Sequence, residues 1–192
     1  RAPNIVNVGL CIALFPTVLA GPVLRYADLE DQITERKVTG EMLGKGASRF
    51  VIGLAKLLIL GAPLNLVAGY VFNLSAMGGQ IVDVPVMLAW LGAATFGLQL
   101  YLCFSAWSDM AIGLAAMFGF SLRENFDYPF AARTVTDFWS RWNMSLYRWF
   151  YSYVYIPLGG PRAKRVRVRG IMRPRNFVLR NLFIFWLLMG LW

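Results

Sequence analysis

Apolar positions along this chain gather into long runs separated by short polar connectors. The first run, about 5–24, is interrupted by Pro16 and by Gly21-Pro22. No small-residue cleavage site follows it, so it reads as part of a membrane segment and not as a signal peptide. Residues 25–49 mix charges with Gly40, Gly44 and Gly46, which predicts an extramembrane or interfacial loop with short helix. The second run, about 50–72, is long enough to cross roughly 30 Å of hydrocarbon, and Pro63 predicts a kink in it. Residues 73–83 are a turn-rich connector. The longest run, 84–120, would extend about 55 Å as one helix. That length predicts a break, placed by the polar cluster Ser105, Ser108 and Asp109. Residues 121–136 are polar, and Thr134 is spaced to cap a following helix. That helix runs into Tyr151–Leu158 and ends at Pro157 and Gly159-Gly160. A last span begins near Asn176 and is still apolar at Trp192. The expectation is an all-α membrane protein, with 1–192 as one membrane-embedded unit cut at both ends.

The stretch from Asp137 to Trp149 carries the most chemistry. At about 100° per residue, Asp137, Arg141, Ser145 and Arg148 share one side of a helix, spread over roughly 80°. Trp139, Leu146 and Phe150 gather opposite, with Asn143 beside them. A carboxamide on an aromatic face must find a partner or carry a desolvation cost of roughly 1–3 kcal/mol. The helix is amphipathic and aromatic, and is expected to lie at the interface or re-enter the membrane. Tyr147, Trp149, Tyr151, Tyr153 and Tyr155 are residue types that settle at head-group level.

Composition supports the membrane class. Of 192 residues, 58% are hydrophobic and 15% charged, against about 25% charged in an average soluble domain. Net charge is +9, unevenly spread. Every carboxylate lies at or before Asp137, whereas seven Arg or Lys crowd between Arg162 and Arg175. A basic loop between membrane segments marks the cytoplasmic side, placing 160–175 there. It is expected to set topology and touch anionic lipid, and Arg162, Lys164, Arg165 and Arg167 are candidates to face an anionic cytoplasmic partner. Nucleic acid is not among the expected partners. Cys11 and Cys103 lie in apolar runs and read as small buried hydrophobes without a disulfide. The chain has no His, which excludes a histidine metal site or a Ser-His dyad within these residues, and no metal is expected.

Asp109 is an ionisable residue inside a membrane run, which marks a polar pathway or a buried pair. Gln99, Ser105 and Ser108 share its stretch, and Arg141 or Arg133 is the expected partner for a structural pair. Asp137 and Arg141 are spaced for an i,i+4 ion pair, and Arg148 suits a phosphate or carboxylate. Asn143 has no usable pKa and cannot be a general base. It can orient another group or donate to a developing oxyanion. On these residues alone the chain supplies an electrophile-stabilising or orienting amide and lacks a base.

Several blocks, in order, resemble bacterial membrane-bound O-acyltransferases. They run from Phe15 to Tyr26, from Leu98 to Gly113, from Glu124 to Phe130, from Phe138 to Leu146, and from Tyr155 to Gly160. The alginate O-acetyltransferase-like branch is the most similar, with teichoic-acid D-alanylation proteins next. The resemblance implies a multi-span helical core with broken or re-entrant helices around a tunnel, in a bacterial inner membrane. A cytoplasmic thioester, acyl-coenzyme A (acetyl-coenzyme A) or an acyl-carrier protein, would meet an acceptor hydroxyl there, with no bound cofactor. The tunnel would take Gln99, Ser105, Asp109, Asp137, Trp139, Arg141, Trp142, Ser145 and Arg148, with Asn143 as the catalytic amide. An extracytoplasmic acetyltransferase subunit is an implied partner. The family's His follows Gly-Leu-Trp, so the base is expected directly after Gly190-Leu191-Trp192. The branch often has a second His where Asn143 stands, which bears on the acyl group and acceptor. The rival expectation is a non-enzymatic channel or scaffold, in which Asp109, Asp137 and Arg141 line a pathway and Asn143 only packs helices.

Overall fold

The computed structural model describes residues 4–18, 21–76, 84–158 and 176–191. The basic residues Arg162, Lys164, Arg165 and Arg167, the Gly159-Gly160 helix stop and Trp192 lie outside them. Among the described residues all regular structure is helical. The chain divides into two compact units, Arg1–Glu124 and Asn125–Trp192.

In the first unit, α1 (Ile5–Ile12) and α2 (Phe15–Val18) are separated at the point where Pro16 begins a new turn. Then α3 (Tyr26–Thr34) packs Leu29 against Cys11, Leu14, Ala115 and Phe120. Both cysteines are free, as the sequence implies.

The long helix begins at Gly40, about ten residues earlier than expected, because Thr39 caps it through a hydrogen bond accepted from Met42 N at 3.2 Å. Its glycines read as loop residues in the sequence, but two of them serve close packing. A Cβ on Gly46 would meet Gly113 O at 2.6 Å, and one on Gly53 would meet Ala106 O at 2.9 Å. Hence α4 (Gly40–Ala55) lies directly against the backbone of α6 (Val86–Met117). Between α4 and α5 (Ala62–Ala76) runs a wide π turn, Lys56–Gly61, in which Ala62 N donates to Leu57 O. The irregularity falls where Pro63 requires one, since its ring displaces the carbonyl one turn earlier.

The expected break at 104–109 does not occur: α6 is continuous over 32 residues, about 48 Å. Ser105, Ser108 and Asp109 are polar, but Arg49 of α4 and Lys56 of the π turn satisfy Ser105 and Asp109, and Ser108 is buried. The α6 backbone ladder is left intact. A helix of this length exceeds the hydrocarbon thickness and is accommodated by tilt or by projection beyond it. Two stretches, Gly40–Leu74 and Val86–Met117, are long and apolar enough to cross a membrane.

The second unit holds a 3-10 turn at Pro129–Ala131, α7 (Val135–Arg141), α8 (Met144–Phe150), a π turn at Tyr151–Tyr155 and α9 (Asn176–Leu191). The tyrosines of the π turn continue a ring stack begun in α8: Tyr147 on Tyr151 at 6.1 Å and Tyr151 on Tyr155 at 5.4 Å. Phe185 of α9 meets Tyr147 and Tyr155 edge-on. Buried Asn181 donates to Leu158 O at 2.6 Å, satisfying a carbonyl that the ending helix leaves open.

Candidate functional site

The expected single helix over 137–149 is two helices. Trp142 is extended (φ −97°, ψ 126°), and Asn143 is left-handed (φ 41°, ψ 52°). Asn tolerates this region better than other non-glycine residues, because its short polar side chain can bond locally. The helical projection therefore fails beyond Arg141. Asn143 sits on no helix face, and Ser145 and Arg148 do not continue the Asp137–Arg141 stripe.

The first half is built as its spacing predicts. Thr134 Oγ1 accepts from Asp137 N at 3.1 Å, and Arg141 Nε donates to Asp137 Oδ1 at 2.8 Å. The Arg141 hydrogen bond holds the Asp137 carboxyl below the usual carboxylate range. Both groups are thus ionised at neutral pH, and Arg141 also faces Asp127 at 3.8 Å.

The break is laced by the preceding loop. Asp127 N donates to Arg141 O at 3.0 Å, and Met144 N donates to Asn125 O at 2.9 Å. Asn125 is buried at 1% exposure, and its Oδ1 accepts from Ser145 N at 3.1 Å and from Ser145 Oγ at 2.7 Å. Asn143 occupies the N-cap position of α8, but its side chain makes no capping bond. Its carboxamide has no hydrogen bond among the described residues, and it is half-buried.

Aromatic rings surround the break. Trp142 stacks on Phe138 at 5.5 Å and meets Phe126 edge-on at 5.2 Å. Trp139 touches Trp186 of α9 at 4.9 Å. Among the described residues Arg148 approaches the Met144 thioether, at 3.9 Å. The second unit therefore brings together Asp137, Trp139, Arg141, Trp142, Asn143, Ser145 and Arg148.

Gln99, Ser105 and Asp109 belong to α6 in the first unit. Gln99 Nε2 approaches Cys103 Sγ at 3.6 Å. Asp109 does not pair with Arg141 or Arg133. Its partners are Arg49 (Nε 3.2 Å, Nη2 2.9 Å) and Lys56 (Nζ 2.5 Å), which α4 and the π turn bring to it. Lys56 also donates to Ser105 Oγ at 2.8 Å, and Arg49 makes a two-pronged pair with Glu124. Lys56 was legible in the sequence, being the one charged residue in the 50–72 run, opposite the one acid in the next run. Asn125 had no such signal beyond its place in the Glu124–Phe130 block. Among the described residues no cluster of potential metal ligands occurs.

Comparison with known proteins agrees with this architecture. The sequence model of the MBOAT, membrane-bound O-acyltransferase family, matches residues 1–173. The chain is 40% identical to the "Probable alginate O-acetylase AlgI" of Pseudomonas syringae pv. tomato, over 98% of this chain and 33% of that protein. It is 29% identical to the peptidoglycan O-acetyltransferase of Helicobacter pylori, over 98% of this chain and 33% of that protein. With the teichoic acid D-alanyltransferase of Bacillus subtilis, identity is 28% over 94% of this chain and 44% of that protein. The chain thus spans about a third of the length of the first two relatives. It belongs to the membrane-bound O-acyltransferase family.

Proposed function

We propose that this chain forms part of a multi-span membrane O-acyltransferase that moves an acyl group, acetyl in the leading reading, from a cytoplasmic thioester to a hydroxyl of an extracytoplasmic polysaccharide. The observation that carries the reading is Asn143. Its carboxamide stands at a helix break next to Trp142, and among the described residues no hydrogen bond consumes it. Such an amide donates to a carbonyl oxygen as charge develops there, or holds the acceptor hydroxyl. The proton acceptor is the family's His, directly after Trp192. The relatives named for O-acetylation and D-alanylation support an acyl chemistry.

The carboxylates give little to the rival channel reading. Asp109 is neutralised by Arg49 and Lys56, and Asp137 by Arg141. Full-length protein in lipid, offered labelled acetyl-coenzyme A and a carrier-bound acyl thioester side by side, should transfer label to polysaccharide from one of them. No transfer from either overturns the proposal. Within the same assay, neutralising Arg162, Lys164 and Arg165 together should raise the donor KM, and the increase should shrink as salt is added. A donor KM equal to wild type at low salt would leave that loop as a topology signal only.

A further inference from the structure

The cap of α8 comes from outside the helix, and this has a consequence for Asn143. An N-cap residue ordinarily has extended backbone and turns its own side-chain oxygen onto the second or third amide of the helix. Asn is among the best residues for that task. Asn143 holds the N-cap position yet does neither: it is left-handed, and its side chain caps nothing. The bond it would be expected to make, to the second helical amide, is made instead by Asn125 Oδ1 on Ser145 N. The same oxygen takes the Ser145 hydroxyl, and the Asn125 carbonyl takes Met144 N, the first helical amide. One buried residue thereby satisfies both amides at the start of α8.

We infer that Asn125 is a positioning residue for the acyl-transfer site: by capping α8 in place of Asn143, it keeps the Asn143 backbone left-handed and its carboxamide available to the reacting groups. The inference rests on the role proposed above for Asn143. Without the Asn125 side chain, the start of α8 loses the oxygen that accepts from Ser145 N and Oγ. Asn143 holds the N-cap position, from which an Asn side chain serves that amide once the backbone is extended; in taking over the cap its carboxamide would be withdrawn from the site. Loss of Asn125 should thus resemble loss of Asn143, and the two losses should not compound. A residue that only supported the fold would weaken every variant independently.

The test uses the full-length protein in lipid, as wild type, Asn125→Ala, Asn125→Asp, Asn143→Gly and the double variant Asn125→Ala/Asn143→Gly. Turnover of the thioester and hydrogen exchange of the 143–147 amides are read in each. Asn125→Ala should lower kcat about a hundredfold, as misplacement of a positioned group does, with the acceptor KM within about twofold of wild type. Exchange at Ser145 N should accelerate roughly fivefold, the usual consequence of losing a cap. Asn125→Asp retains the accepting oxygen and should recover most of both quantities. The double variant should turn over no more slowly than Asn143→Gly alone. Losses that multiply in the double variant, unchanged exchange in Asn125→Ala, or an Asp variant as impaired as the Ala variant would each overturn the inference. Wild-type turnover by Asn143→Gly would instead sink the role of Asn143, and exchange at Ser145 would then judge the cap by itself.

Discussion

Replacing Asn143 with Gly should lower kcat by about two to three orders of magnitude, as removal of one preorganised donor does, equivalent to roughly 3–4 kcal/mol of transition-state stabilisation. Gly is the informative replacement. At φ 41° an alanine would add backbone strain of about 1–2 kcal/mol, so its effect would mix lost chemistry with a displaced helix. Glycine populates the left-handed region freely and removes only the carboxamide. Asn143→Asp makes the complementary change. It keeps the shape and the tolerance for a left-handed backbone, but an ionised carboxylate only accepts hydrogen bonds. If the amide N–H donates to the thioester carbonyl or its oxyanion, Asp should be as inactive as Gly. If the amide oxygen holds the acceptor hydroxyl, Asp should retain a large share of kcat. Steady-state turnover of the three proteins, each first shown to insert into lipid vesicles, separates these outcomes. A Gly variant within a factor of a few of wild type would remove Asn143 from the mechanism.

The sequence made parts of this site legible and hid others, for physical reasons. Thr134, Asp137 and Arg141 interact within one turn of helix, so their spacing alone places the cap and the ion pair. Apolar run length identifies the membrane segments for the same reason, since it depends only on local composition. The break at Trp142-Asn143 left no such mark. It contains neither Gly nor Pro, and a seven-residue helix on each side has the same 3.6-residue period as a continuous one. What decides it is non-local: Asp127 and Asn125 offer backbone and side-chain partners to Arg141, Met144 and Ser145. A chain segment supplied with such partners can leave the helix without orphaning its polar groups. The error in 84–120 has the opposite sign. A polar cluster suggested a break, but Lys56 and Arg49 from the neighbouring helix satisfy it, and the helix continues. In both cases the missing information lay on another segment. Local sequence states what a segment needs; only the tertiary partner states whether the need is met.

That reasoning makes Asp109 the most consequential charge in the first unit. Its carboxylate takes three charge-assisted hydrogen bonds, two from Arg49 and one from Lys56, with only 18% of the side chain exposed. Removing it by Asp109→Ala leaves Lys56 with Ser105 Oγ as its remaining described partner, on a helix whose outward face is apolar. Breaking one member of a fully buried ion pair costs about 3–5 kcal/mol, because the other charge stays desolvated without compensation, and this half-buried cluster should show a large share of that cost. Glu124 provides the internal control. It holds the same Arg49 in a two-pronged pair, but its side chain is 57% exposed, and such pairs are worth about 0–1 kcal/mol. Asp109→Ala should therefore lower the unfolding midpoint of the detergent-solubilised protein far more than Glu124→Ala. The double replacement Lys56→Leu with Asp109→Leu should cost less than Asp109→Ala alone, since it removes the stranded ammonium together with its partner. Arg49 would still be held by Glu124 in that variant. Equal midpoints for the Asp109 and Glu124 variants would mean that water reaches the cluster freely. The polar groups on α6 would then line a hydrated path, and the two helices would be joined by their glycine contacts alone.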